Sequence, residues 1–197
     1  VVDRVPATLL AALADLMNWL DSAKIPSIVI GGVAASVLGR PRLTQDVDAL
    51  AILPEGDWAD AVSNAASHGI FPRIESPLDF ARRSRVLLMR HAESGIDIDV
   101  TFGGLLFEQA AIDNSNIHDI GGLRVRLPRV EDLLIMKAVA RRPKDLQDIA
   151  GLLAAHPDID VAAVRRWVSE FATAMSMSDM LDDFDKLVER SKPPPSS

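Results

Sequence analysis

The sequence predicts an α/β (α+β) protein, a mixed, antiparallel-rich sheet flanked by helices with a C-terminal helical extension. Three observations predict it. Short apolar runs closed by Gly or Pro alternate with amphipathic stretches through residue 67; two later pairs of strand-like runs are joined by short glycine-containing turns; beyond Pro128 the pattern is helical throughout.

In order, Leu9, Leu10, Leu13, Leu16, Met17 and Leu20 recur at steps of three and four, which places an amphipathic helix over 7–21. Pro26 ends the connection. Ser27-Ile28-Val29-Ile30 reads as a short buried strand, broken by Gly31-Gly32 before a helix over 33–38. The next strand spans 46–53 and is closed by Pro54, and 57–67 reads as a helix ending before Gly69. A Pro-punctuated stretch without clear periodicity follows. Residues 86–90 and 96–102 read as two strands joined through Glu93-Ser94-Gly95, hence antiparallel neighbours. A short helix is expected over 108–112. Strands at 117–120 and 123–127 straddle Gly121-Gly122, which suits a hairpin. Four helices complete the chain, over 130–140, 144–155, 161–175 and 179–189, with Pro143 placed as a first-turn proline. The expected organisation is a core over 1–128, a helical subdomain over 129–191 and a disordered Pro/Ser tail over 192–197.

With 48% hydrophobic residues in 197, the chain has material for one real core, and 5% aromatic content makes that core mostly aliphatic. No apolar run approaches the roughly 20 residues of a membrane span. No secretory leader pattern opens the chain and cysteine is absent, so the expected compartment is the cytoplasm. A net charge of −7 argues against a non-specific nucleic-acid coat protein, which needs many phosphate neutralisations. Arg40 and Arg42, and then Arg82, Arg83, Arg85 and Arg90, are locally dense; they suit either one anionic ligand or a solvated face.

The chemistry is concentrated in carboxylates. Asp46 and Asp48 are two apart on a strand, so both side chains share one face about 7 Å apart, a spacing that can grip a divalent cation. Without a cation or basic partners, like charges this close repel. Mg²⁺ suits them, because it takes oxygen ligands and binds through one or two carboxylates together with substrate phosphates. The plainer alternative makes Asp46 a turn cap and Asp48 a solvated strand residue. Ile96-Asp97-Ile98-Asp99-Val100 repeats the alternation; it is either an amphipathic strand with a wet acidic side or the source of a third carboxylate, Asp99 first and Asp97 second. Gly31-Gly32 ahead of a helix offers backbone amides to phosphate, or is simply a tight turn. Lys137 lies in a helix apolar nearly all round, so it must snorkel, pair with Asp145 or Asp148, or meet a bound anion. His68, His91, His118 and His156 show no ligand spacing and read as structural or surface residues.

Taken as an ordered set, Ile30-Gly31-Gly32, Arg42-Leu43-Thr44-Gln45-Asp46-Val47-Asp48 and Ile96-Asp97-Ile98-Asp99-Val100 resemble the signature of the DNA polymerase β-like nucleotidyltransferase superfamily. Glu131-Asp132-Leu133-Leu134-Ile135-Met136-Lys137 with Arg142-Pro143-Lys144-Asp145-Leu146-Gln147-Asp148 resembles its bacterial AbiEii-type branch, which includes toxins of toxin–antitoxin pairs. The resemblance covers about residues 28–153. It implies transfer of an NMP from an NTP to a hydroxyl acceptor, with tRNA, other RNA or protein favoured over a small aminoglycoside-like alcohol, and Mg²⁺ or Mn²⁺ as the cofactor. It implies Asp46, Asp48 and Asp99 as metal ligands, with Asp99 or Asp97 activating the acceptor. Gly31, Gly32, Thr44, Lys137 and Asp148 would hold the nucleotide, and an antitoxin is the implied partner. Gly-Gly stands where Gly-Ser is commoner in the superfamily, which removes one hydroxyl. The competing reading is a nucleotide- or partner-binding module on the same fold with catalysis lost.

Overall fold

A computed structural model of the chain describes residues 5–191, so the expected 192–197 tail lies outside the described residues. The chain divides into two compact units. The first comprises the described residues up to Ala34 together with Arg42–Pro128; the second comprises Ala35–Pro41 and the described residues from Arg129 onward.

The first unit is built on a five-stranded sheet, β1 (Ser27–Ile30), β2 (Asp46–Ala51), β3 (Ile70–Pro72), β4 (Val86–His91) and β5 (Asp97–Phe102), in the order β1-β2-β5-β4-β3. The β1/β2, β5/β4 and β4/β3 pairings are antiparallel and β2/β5 is parallel, which makes the sheet mixed and antiparallel-rich. The 86–102 hairpin forms as expected. In β2 and β5 the residues at Val47, Ala49, Ala51 and at Ile98, Val100, Phe102 are buried. Strand alternation therefore turns the intervening aspartates to the opposite face.

Helix α1 (Ala7–Ser22) buries Leu9, Leu13, Leu16 and Leu20 as its periodicity predicts, and adds Ala12 and Trp19. Trp19 donates its indole N–H to the Ala61 carbonyl at 3.0 Å, tying α1 to α3 (Trp58–Ala65). Trp58 stacks on Phe102 with ring centroids 4.3 Å apart, which fixes α3 over β5. The expected 57–67 helix is α3 between two single 3-10 turns, Glu55–Asp57 and Ala66–His68. The Pro-punctuated stretch contains β3 and α4 (Pro77–Ser84), neither of which the sequence reading assigned. Helix α5 (Leu106–Asp113) precedes the hairpin β6 (Asn116–Ile120) and β7 (Leu123–Leu127), whose turn puts Gly121 and Gly122 at φ +61° and +87°. Side chains disfavour that left-handed region, so the double glycine suits this turn.

Helix α2 (Gly31–Leu38) begins at the glycines themselves rather than after them, and the division between units falls within it. The second unit carries α6 (Val130–Ala140), α7 (Pro143–Ala155), α8 (Val161–Ala174) and α9 (Asp179–Ser191). Leu134, Ile149, Leu152, Val164, Val168, Met180 and Phe184 form its core. Polar ties add direction: Arg141 bonds Asp179 and Asp183 of α9, Arg165 forks onto Asp185, and His156 Nε2 lies 2.6 Å from the Leu38 carbonyl. Among the described residues no helix is long and apolar enough to cross a membrane.

Candidate functional site

The parallel β2/β5 ladder sets Asp46 opposite Asp97 and Asp48 opposite Asp99. Partners in register on adjacent strands point to the same face, about 4.8 Å apart across the ladder. Two motifs some fifty residues apart thus become one patch of four half-buried carboxylates.

The glycine turn is shaped around that patch. Gly31 has φ +64°, and a Cβ there would fall 2.5 Å from Asp48 Cγ and 2.7 Å from its Cβ. Two independent constraints, a left-handed backbone and the close approach of Asp48, therefore exclude a side chain at residue 31. A Cβ on Gly32 would crowd Thr44, and would stand 3.2 Å from Arg42 Nη2. Thr44 is itself buried and donates its hydroxyl to Asp46 Oδ1 at 3.0 Å, which orients that carboxylate. Gly31, Gly32, Thr44, Asp46 and Asp48 are thus brought together as one structural cluster.

On the β5 side, two arginines answer the charge. Arg90 of β4 stands opposite Asp97 in register and donates Nε to its Oδ1 at 2.7 Å. Arg73, just past β3, donates its own backbone N–H to Leu88, the register partner of Asp99, and reaches across β4 to place Nη2 2.5 Å from Asp99 Oδ1. Its Nε lies 3.9 Å from Asp97 Oδ1. Arg73 went unrecognised at the sequence level, since a lone arginine after a three-residue strand carries no periodic signal. Of the dense arginines, Arg82 pairs with Glu55 and Asp79, Arg85 donates to the Phe102 carbonyl and Arg90 takes Asp97.

The remaining predicted residues lie in the second unit. Lys137 is 3% exposed and donates Nζ to Asp145 Oδ1 at 3.0 Å and to Asp148 Oδ2 at 2.8 Å. Asp145 also accepts from Arg142 Nε at 2.7 Å and from the Arg142 backbone N–H at 3.1 Å. Burial alone would push the Asp145 carboxyl up, but the hydrogen bonds from Arg142 and Lys137 outweigh it and hold it below the ordinary carboxylate range. Lys137 here is a paired buried cation clamping α6 to α7. His91 is likewise buried and structural, bridging Asp15 at 2.9 Å and Ser94 at 2.8 Å.

As a metal site, the patch offers oxygen donors alone, the set that Mg²⁺ and Mn²⁺ accept. Among the described residues no group of three His, Cys, Asp or Glu side chains is placed to hold an ion without other ligands. The patch therefore fits an ion bound through the Asp46/Asp48 pair and completed by substrate phosphates and water, rather than a cage of protein ligands.

No protein-family model matches the sequence, and no curated protein matches it. Solved structures do. The antibiotic-resistance factor ANT(2'')-Ia in solution is similar with a TM-score of 0.60 at 14% identity, over 88% of this chain and 97% of that one. An antigenic nucleotidyltransferase-like protein from Paracoccidioides brasiliensis gives 0.54 at 15% identity, over 91% and 94%. The lincosamide antibiotic adenylyltransferase LnuA with lincomycin bound gives 0.51 at 14%, over 71% and 93%. Likeness at this identity establishes the fold, which is that of the nucleotidyltransferases.

Proposed function

We propose that the chain is a metal-dependent nucleotidyltransferase that moves an NMP from an NTP to a hydroxyl acceptor. The observation that carries this reading is the register of Asp46 with Asp97 and Asp48 with Asp99, with Gly31 held against Asp48. A surface that merely needs solubility has no reason to gather four carboxylates on one sheet face and shape a glycine turn around one of them.

In the reaction, the acceptor hydroxyl oxygen attacks the α-phosphorus of the NTP. The bond from that phosphorus to the bridging oxygen of the β-phosphate breaks, and pyrophosphate leaves. The hydroxyl proton passes to Asp99, which serves as general base. Asp46 and Asp48, with Asp99 as the third carboxylate, would hold the metal, and Thr44 orients Asp46. Mg²⁺ or Mn²⁺, when bound, supplies neutralisation of phosphate charge, the main requirement of phosphoryl transfer. The carboxylates are half-buried between two strands, so their geometry is set before substrate arrives.

The acceptor is a finer part of the proposal. The glycine turn and the two acidic strand motifs support nucleotidyl transfer to a hydroxyl in general. The AbiEii-type segments around Lys137 and Asp145 support tRNA or protein as acceptor, a toxin role and an antitoxin partner. One of the solved structures similar in fold is ANT(2'')-Ia with adenylyl-2''-tobramycin, 0.50 in TM-score and 14% identical, and this supports adding a small polyhydroxylated molecule to the acceptors tested. The experiment offers each α-labelled NTP with Mg²⁺ to total RNA, cell protein and an aminoglycoside panel. Label is expected in one acceptor class, and Asp46→Ala abolishes it. Equal, background-level labelling by parent and variant in all three classes would return the chain to the alternative of a binding module without catalysis.

A further inference from the structure

We infer that Arg73 is an internal counter-cation of the carboxylate patch and competes with the divalent metal for Asp99. The inference rests on the metal part of the function proposed above. Four aspartates in register leave one sheet face strongly negative, and two arginines answer it from the β4 side. They are not equivalent. Arg90 has a side chain 54% exposed and pairs with Asp97, so water and salt share the task of compensation. Arg73 is 23% exposed and reaches over β4 to Asp99, the carboxylate that faces Asp48.

The niche of Arg73 is also incomplete. Its Nε is buried without a hydrogen-bond partner, 3.9 Å from the nearest Asp97 oxygen. An arginine serving only to lock the fold would normally satisfy its fork with two parallel bonds to a carboxylate. A buried donor without an acceptor in the protein is one that a bound anion can satisfy. With Asp99 turned to a guanidinium, no third carboxylate joins Asp46 and Asp48, which agrees with the lack of any three-donor group among the described residues. Arg73 thus occupies on Asp99 the electrostatic place of a cation. A metal ion that took up Asp99 would free the guanidinium, and phosphate oxygens of the nucleotide would offer Nε the acceptor that the protein does not.

The test uses the full chain with Mn²⁺ alone as probe, the unbound ion being counted by electron paramagnetic resonance without nucleotide. Arg73→Met is expected to bind Mn²⁺ about tenfold more tightly than the parent, since one positive charge leaves the immediate site. Arg73→Lys, which keeps the charge, stays near the parent. Arg90→Met, which removes an exposed charge of the same sign, shifts affinity by less than about threefold. Thermal melts guard against a folding artefact: Mn²⁺ should raise the Tm of Arg73→Met more than that of the parent, because the ion replaces the lost cation. Unchanged or weaker Mn²⁺ binding by Arg73→Met, an equal gain in Arg90→Met, or failure of Mn²⁺ to stabilise Arg73→Met would overturn the inference. If parent and Arg73→Met bind alike while Asp46→Ala loses the ion, the competition fails and the metal site stands. If none of the proteins binds Mn²⁺, both fail.

Discussion

Asp48 of β2 and Asp99 of β5 face each other in a parallel register, and Gly31 closes on Asp48 from the end of β1. That relationship joins two separate acidic motifs and the glycine turn into one structural cluster, and it makes each of them open to single substitutions.

Gly31→Ala should damage both stability and activity. A left-handed backbone costs a Cβ-bearing residue about 1–2 kcal/mol, and the new methyl overlaps Asp48, so Asp48 must move. We expect a lower urea midpoint and near-complete loss of nucleotidyl transfer. Gly32→Ala carries no left-handed penalty, although its methyl displaces the Thr44 hydroxyl that orients Asp46, so it should lose less stability. Equal effects of the two variants would contradict the Asp48 contact as the deciding constraint.

The two β5 aspartates should separate. Asp97 is paired to the exposed Arg90, and such pairs contribute roughly 0–1 kcal/mol. Asp97→Asn is therefore expected to retain most activity. Asp99→Asn removes the proposed base, and general-base contributions run to about 10²–10⁴-fold, so kcat should fall by at least two orders of magnitude. Steady-state kinetics on both variants measures this, and a larger loss in Asp97→Asn would exchange their roles.

Lys137→Met leaves Asp145 and Asp148 facing one another without their shared ammonium. Breaking a buried ion pair by removing one partner costs about 3–5 kcal/mol, and a loss of that size is expected in urea unfolding. A loss below about 1 kcal/mol would show that solvent reaches the cluster. Nucleotide affinity, followed by a fluorescent ATP analogue on the folded variant, tests the additional nucleotide role that the sequence resemblance implies for Lys137 and Asp148.

The pH dependence follows from Asp145. Its carboxyl is held below the ordinary value, so the unfolded chain takes up the proton first as pH falls. The stability it contributes is fully present above the unfolded value of about 3.9 and is lost as pH drops through the lower folded value. Asp145→Asn should therefore be less stable than the parent at pH 7, with the gap narrowing in acid below pH 4. Urea melts at both ends of that range decide it; a gap constant with pH would assign the effect to packing.

Much of the fold was legible because its signals are local. The α6 bounds, Val130–Ala140, coincide with the expected helix, since a run that is apolar from Leu133 to Ala140 apart from Lys137 ends at Arg141-Arg142-Pro143. The β4/β5 and β6/β7 hairpins announced themselves through short glycine turns. What escaped was weakly patterned. Strand β3 is three residues ending in proline, too short for alternation to register. Helix α4 buries only Ala81 and starts after Ser76 in the left-handed region, so no apolar stripe marks it.

By itself, the sequence determined which side chains share a face. A period of two puts Asp46 with Asp48 and Asp97 with Asp99 whatever surrounds them, and Gly31 was open to any backbone conformation its setting required. Only the tertiary structure decided that β2 and β5 lie side by side and parallel, with Asp48 at the level of Asp99. It also decided that Arg73 answers Asp99 and that Asp145 and Asp148 answer Lys137. The reason is range: alternation is a property of neighbouring peptide units, whereas register and ion pairing depend on how distant segments bury their apolar faces together.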